Sequence, residues 1–589
     1  MPCRLLQRSH QAMALRLVPL LLLHWTPSLS AQAPAIRPEL EARIDSIFAA
    51  EVRPGGPGCA VGVYRAGALV LARGYGVAST ETGAPITAQT LFDLGSASKP
   101  FTALAVLTLE GQGRLSLHDD VRRYVPELPA YDAPIRVRDL LQHTSGLRDY
   151  EALGELSNRH VVTMRDFLDL LAGQRALNFT PGSRHEYSHS DFVVLAIVVE
   201  RVTGEPFVRY LEREVLQPLG MTSSRVDDEN GAAVPRRAHG HSGAESDARI
   251  VFPASTVTGG DNLYTSVHDL QRWDRALDEA ATGRWPLVAR LLERPTLPGG
   301  DTIRYAFGIR REDHRGLPVL TRGGHSDGMR TEFIHFADQR FGVAVLCNAP
   351  HLAPGTLGER VAAQFLGDVL QPLREWPAGP VVAPSAAELG RFAGVYAATG
   401  SKGVNDFTSS EITRFAIVDG RLAEVLLGGD TTQAMTYHGD GRFTYEGSPE
   451  AFQVRFTAAA GAPLRAEFSW QGEVESVMER TVESAVWRPD AAELAEYAGY
   501  YQSPELDAGW ELLLRDDRLQ LRRRGTRDLG LTAIRPNLFT REFGPWESLI
   551  PARLEFARDA AGVVTHFTVS TAGEGQVVRG VRFVRMAPG

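Results

Sequence analysis

A serine and a lysine three residues apart, at the entrance to an apolar helix-forming run, are residues whose types and spacing suit chemistry. They lie in Phe92-Asp93-Leu94-Gly95-Ser96-Ala97-Ser98-Lys99, which leads directly into the helical pattern Phe101–Glu110. Side chains at i and i+3 share a helix face, so Ser96 and Lys99 can meet. A serine hydroxyl becomes a nucleophile when a base lies beside it, and a lysine can serve. A bare Ser-x-x-Lys is a weak pattern, but lysine is nearly absent from this chain. Among 62 lysines and arginines, Lys99 and Lys402 are the two lysines. An arginine would carry the same charge but cannot release its proton, whereas a buried lysine can. Retention of lysine at position 99 therefore points to a role that needs deprotonation. Lys402, in Gly400-Ser401-Lys402-Gly403, reads as an exposed loop charge. A competing pattern, Gly324-His325-Ser326-Asp327-Gly328, matches a Gly-x-Ser-x-Gly nucleophile elbow. That elbow needs a helix after it, and here the strand pattern Thr331–Phe336 follows. The elbow reading fails on its context.

The elements around Ser96 alternate. Ala60–Tyr64 and Leu69–Gly74 flank Ala66-Gly67 as a hairpin, and Phe192–Val202 reads as a second buried helix. Val319–Arg322, Glu332–Phe336 and Phe341–Leu346 are short strands. Strands at both ends with helices between them predict an α+β or mixed α/β layered domain. A Pro-rich linker, Trp376-Pro377 to Pro384, ends this region, which we take as residues 34–375. Beyond it the chain repeats itself. Ala386-Ala387-Glu388-Leu389 with Phe392-Ala393-Gly394-Val395-Tyr396 recurs as Ala491-Ala492-Glu493-Leu494 with Tyr497-Ala498-Gly499-Tyr500-Tyr501, and Trp487-Arg488-Pro489 forms a second linker. Period-two stretches follow each copy, such as Trp510–Leu514 and Leu519–Arg523 around an Asp516-Asp517 turn. Two small all-β barrels, at 386–483 and 491–589, fit this pattern.

Composition excludes several classes. At 589 residues the chain exceeds one core, and a net charge of −9 carries no nucleic-acid footprint. Arg522-Arg523-Arg524 falls in a strand pattern and reads as a solvated face. Arg4, Arg8 and Arg16 precede the apolar run Leu17–Trp25, and Ser28 and Ser30 sit before Ala31. Residues 1–30 thus read as a secretory signal peptide, and no cysteine follows the run to suggest a lipid anchor. The expected location is secreted or periplasmic, without a membrane anchor after cleavage. Removing the leader takes Cys3 and leaves Cys59 and Cys347, too few for a zinc site or a disulfide framework. His239 and His241 lie in a loop with no acidic partner at a ligand spacing, so neither metal nor cofactor is expected.

Several stretches in order resemble the β-lactamase-related serine hydrolases, which include class C β-lactamases, penicillin-binding carboxypeptidases, D-aminopeptidases and related esterases. They are Thr90-Leu91-Phe92 to Lys99, Arg138–Leu147 with His143-Thr144-Ser145-Gly146, Pro181-Gly182 to Tyr187-Ser188-His189, and Gln217–Met221. The resemblance implies an antiparallel sheet flanked by helices. It implies that Tyr187 works beside Ser96 and Lys99 as phenolate base or proton relay. His189 stands where the family has asparagine, and Arg322-Gly323-Gly324 aligns with the family's third motif. Arg322 would then supply a fixed charge to grip a carboxylate or polarise the site. The oxyanion would sit between the backbone N–H groups of Ser96 and His325, beside Gly324. His143 would hold a loop near the site. In the resembling fold the strands bearing Cys59 and Cys347 are antiparallel neighbours, so the two cysteines are expected close together, either bonded or as packed thiols. A catalytic domain followed by two lipocalin-like barrels resembles the architecture of D-aminopeptidases in this family more than that of compact β-lactamases. Amide or peptide hydrolysis, on D-residues or as a D,D-peptidase, is the expectation. A carboxylesterase and an inactive peptide- or peptidoglycan-binding protein are the alternatives. The barrels, lacking a Ser-Lys pair, are expected to be dispensable for acylation. Nothing in the sequence sets the oligomeric state.

Overall fold

The computed structural model describes residues 36–587 apart from 229–232, 244–246, 301, 373–379, 399–411, 426–431, 446–451, 460, 471–472, 484–486, 488, 544–549 and 572–575. The predicted signal peptide, Lys402 and the Trp376-Pro377 linker lie outside the described residues. No helix among the described residues is long and apolar enough to cross a membrane.

The first domain is built on a six-stranded antiparallel sheet. Its order is Ala68–Tyr75, Cys59–Arg65, Phe341–Cys347, Met329–Phe336, Leu317–Ser326 and Arg310–His314. The two strands earliest in sequence therefore join the last four, which brackets the helices between them. Alternation along each strand sends side chains to opposite faces. Val61, Val63, Val343 and Val345 pack with helices Pro38–Ala49 and Pro354–Leu366. Ala60, Tyr64, Ala344 and Leu346 join helices Lys99–Gly111, His189–Thr203 and Val267–Ala280 on the other face. The Ala66-Gly67 turn has φ of 49° and 72°, which suits the two-residue hairpin read from the sequence. Cys59 opens its strand directly opposite Cys347, with Cα atoms 4.0 Å apart and a disulfide between them.

Residues 394–483 form a closed eight-stranded barrel in which Gly394 pairs with Glu483. Its interior is filled by Phe392, Tyr396, Phe415, Phe443 and Phe456. The last region is a nine-stranded sheet, curled so that its two end strands, Leu529–Gly530 and Thr532–Arg535, are consecutive in sequence. The repeat is real at atomic detail. Tyr396 donates to the Phe392 carbonyl at 2.8 Å, and Tyr501 donates to the Tyr497 carbonyl at 2.9 Å. Ser385 and Asp490 cap the matching short helices by accepting from the N–H of Glu388 and Glu493.

The two copies differ in their surroundings. The closed barrel has its own core, whereas Tyr501, Trp510, Leu512 and Phe567 belong to the same apolar cluster as the first domain's helices. Trp510 donates to the Leu156 carbonyl at 3.2 Å. Arg523, expected on a solvated face, is buried and paired with Glu155 at 3.1 Å. The expectation fails at Arg523 because this residue alternates onto the same buried face as Leu519 and Leu521, at the strand end where Glu155 of the first domain covers it.

Candidate active site

Ser96 lies in a 3₁₀ turn, Gly95–Ser98, that runs into the helix Lys99–Gly111. Lys99 is fully buried, and its Nζ donates to Ser96 Oγ at 3.0 Å and to the Gly260 carbonyl at 3.1 Å. Tyr187 Oη lies 2.7 Å from Ser96 Oγ on its other side. Two groups, one of them 91 residues away in sequence, thus converge on one hydroxyl.

Close backbone packing sets the wall beside the serine. Gly95 has φ of 53°, and a Cβ there would stand 2.6 Å from the His325 carbonyl oxygen. A Cβ on Gly324 would stand 1.8 Å from the Leu94 carbonyl oxygen. Both positions require glycine, and this brings the backbone of Gly324 and His325 against the turn that carries Ser96. Asp93 locks the same junction. Its carboxylate accepts from the Gly95 N–H at 2.9 Å and from Ser326 Oγ at 2.5 Å. Ser326, the serine of the elbow pattern, is therefore tied to Asp93 just before a hairpin turn at Asp327-Gly328, where φ is 30° and 80°. Asp93 carried no role in the sequence reading; its bond to the N–H two residues on is the detectable signal.

Arg322 donates to the Ser96 carbonyl through Nε at 2.9 Å and to Tyr187 Oη at 2.6 Å. Of the two roles the resemblance implied for it, this geometry matches polarisation of the site. Behind Tyr187, His143 lies ring to ring at 4.4 Å. His143 Nδ1 meets Asp191 at 2.8 Å, and Nε2 meets Tyr305 Oη at 3.1 Å. Burial pushes His143 down and Asp191 up, so each favours its uncharged form. The pair forms a rigid floor under the tyrosine.

His189 opens the helix that follows Tyr187 and packs edge-on to its ring at 5.3 Å. Asp149 accepts from the His189 backbone N–H at 2.8 Å and lies 3.1 Å from Nδ1, with Glu151 at 4.0 Å. Burial alone would lower the imidazole, but the Glu151 and Asp149 carboxylates outweigh it and hold His189 up at about 10. These three residues also offer ligand atoms within 4.8 Å of one another. A charged imidazolium held between two carboxylates accounts for their proximity.

Burial opposes the Tyr187 phenolate, but Arg322, Lys99 and His189 together bring its pKa below the ordinary tyrosine value. His189→Asn removes one of these cations while installing the residue usual in resembling sequences. Because a base works once it has lost its proton, a higher Tyr187 pKa moves the acid limb of the pH–rate profile to higher pH. We expect kcat/KM at neutral pH to fall roughly tenfold for this reason. An acid limb that stays in place would show that the imidazolium does not act on Tyr187.

The last barrel braces these loops. Arg148, buried beside Asp149, donates to Glu505 at 2.5 Å, to Gln174 at 3.0 Å and to the Arg579 carbonyl at 2.7 Å. Arg579 pairs with Glu186, the neighbour of Tyr187, at 2.6 Å. The Val577 carbonyl accepts from Asp149 N–H at 3.2 Å, and Gln576 donates to Glu151 at 3.0 Å. These contacts bear directly on the expectation that the barrels are dispensable for acylation, because they reach the loops that carry Tyr187 and His189. The contacts join residues some 350 to 430 positions apart, beyond any local pattern.

A serine flanked by lysine and tyrosine, on a helix packed against an antiparallel sheet, defines an active-site-serine fold of the transpeptidase type. The Beta-lactamase family profile matches residues 44–366, and the chain belongs to that family. A D-aminopeptidase from Gluconobacter oxydans is 30% identical over 57% of this chain and 63% of its own length. A D-aminopeptidase from Brucella anthropi is 29% identical over 50% of this chain and 56% of its own. The chain thus spans less than two thirds of the length of these two curated relatives. The fold matches the solved octameric penicillin-binding protein homologue from Pyrococcus abyssi, with a TM-score of 0.53 at 21% identity over 75% of this chain and 99% of that one.

Proposed function

We propose that this protein is a secreted or periplasmic serine hydrolase that cleaves amide or peptide bonds through an acyl-enzyme, in the manner of a D-aminopeptidase. The observation that carries the reading is that Ser96 Oγ lies within hydrogen-bond reach of both Tyr187 Oη and Lys99 Nζ. In this scheme Tyr187 takes the Ser96 proton as Oγ attacks the substrate carbonyl. Lys99 and Arg322 hold the resulting charge distribution, and the oxyanion is received by the N–H groups of Ser96 and His325. Tyr187 then returns the proton to the departing amine, leaving the acyl group on Ser96. Water, losing its proton to Tyr187, hydrolyses the ester and restores the enzyme. The names of the curated relatives favour D-residue amides over esters.

Labelling with a fluorescent fluorophosphonate and a fluorescent β-lactam tests the scheme. The native protein should take up label that Ser96→Ala loses entirely, and D-alanine p-nitroanilide should be turned over faster than a matched ester relative to their uncatalysed rates. Equal labelling of the two proteins removes Ser96 as nucleophile.

A further inference from the structure

The hairpin tip beyond His325 is supported from two sides. Asp93 holds it from the serine side through Ser326. The second support is the short strand Gly240–Ser242. The two backbones touch there. A Cβ on Gly240 would stand 1.8 Å from the Asp327 carbonyl oxygen, and a Cβ on Gly328 would stand 2.4 Å from the His241 carbonyl oxygen. His325 and Ser326 pair with Arg330 and Met329 immediately before and after this turn. Close-packed elements transmit displacement, so a shift of Gly240–Ser242 moves the turn and the His325 N–H with it.

One side chain pins that strand. His241 is fully buried, its backbone N–H donates to the Asn348 carbonyl at 3.1 Å, and its Nδ1 lies 3.0 Å from the same oxygen. Nε2 lies 3.2 Å from Thr80 Oγ1. A carbonyl can only accept, so Nδ1 carries the proton and Nε2 accepts from Thr80. Burial pushes His241 below the ordinary histidine value, which favours this neutral form. The anchor is fixed in turn. Asn348 follows the disulfide-bonded Cys347, and its backbone N–H donates to the Gly58 carbonyl at 3.0 Å. Its Oδ1 accepts from the Gly58 N–H at 2.8 Å. Its Nδ2 lies 3.1, 3.2 and 3.0 Å from the Val77, Ala78 and His239 carbonyls.

We propose that His241 is a positioning residue for the oxyanion site: by tying Gly240–Ser242 to Asn348, it sets the place of the Asp327-Gly328 turn and so of the His325 N–H. This rests on the acyl-enzyme reading above and adds a residue that acts through the backbone of its neighbours. An oxyanion donor works only where it meets the oxygen of the tetrahedral species, so a small displacement costs rate. Asp327 has φ of 30°, a conformation that persists only while its surroundings enforce it. Withdrawing the support behind it lets the turn relax.

The test follows fluorophosphonate labelling of Ser96, affinity for phenylboronic acid and melting temperature on the full chain. Both probes place an oxygen where the oxyanion forms. His241→Ala should slow labelling about 30-fold and weaken phenylboronic acid by a similar factor. His241→Asn, whose amide can donate from near the Nδ1 position, should restore both to within about threefold of native. Labelling at the native rate in His241→Ala overturns the proposal. So does an equal loss in the Ala and Asn variants, which would make His241 a packing residue only. If His241→Ala does not fold, Thr80→Val decides: labelling slowed about threefold at an unchanged melting temperature supports the proposal, and a native rate overturns it. Native Ser96 that takes no label removes the hydrolase reading itself. Native labelling with unmoved variants removes the positioning role alone.

Discussion

Lys99→Arg should abolish acylation of Ser96, lowering the labelling rate by about a thousandfold or more, although the charge is kept. Lys99 is fully buried, and its Nζ is shared between Ser96 Oγ and the Gly260 carbonyl. A point donor of that reach fits the space; a planar guanidinium does not. Even a Cβ on Gly260 would stand 3.2 Å from Nζ, so the wall already lies close against the ammonium. The chemistry fails as well, because a guanidinium spreads its charge over a plane and cannot keep the single close contact through which Lys99 holds the charge on Ser96 Oγ. The chain uses arginine at nearly every other basic position, so the expected intolerance is specific to this site. Mass spectrometry of the labelled serine over time measures the effect. Activity above about a tenth of native would falsify a role for Lys99 beyond its charge.

The second large effect should come from a residue far from Ser96 in sequence. Glu505→Ala leaves Arg148 buried without its carboxylate partner. Arg148 is 3% exposed, so solvent cannot replace that partner. Breaking a buried ion pair from one side costs about 3–5 kcal/mol, because the remaining charge stays desolvated. The damage should reach the site, since the next residue, Asp149, holds His189 and takes its own backbone contact from Val577. We therefore expect a lower melting temperature together with slower Ser96 labelling. Converting Arg148 to Met as well should recover stability, because an apolar pair of similar volume carries no unpaired charge. Removal of everything beyond residue 487 should be worse, stripping Trp510, Tyr501 and Phe567 from a shared core. A soluble truncate that labels at the native rate would rule out bracing by the last barrel.

What the sequence determined by itself was local. Helical spacing put Ser96 and Lys99 on one face, and their contact at 3.0 Å is the result. Turn residues and alternation placed the strands from Cys59 to Tyr75 and from Leu317 to Cys347 to within a few positions. The recurring motif marked two barrels whose tyrosine contacts repeat. Each of these depends on interactions within a few residues, where side-chain type and period carry the information. Tertiary structure decided the electrostatics. Tyr187 reaches Ser96 across 91 residues, and Arg322 reaches Tyr187 across 135. The roles of Asp149 and Glu151 toward His189 and the burial of Arg523 both depend on which distant surface covers them. A charge has no fixed meaning until its solvent and partners are set, and those are set by packing between elements rather than along them.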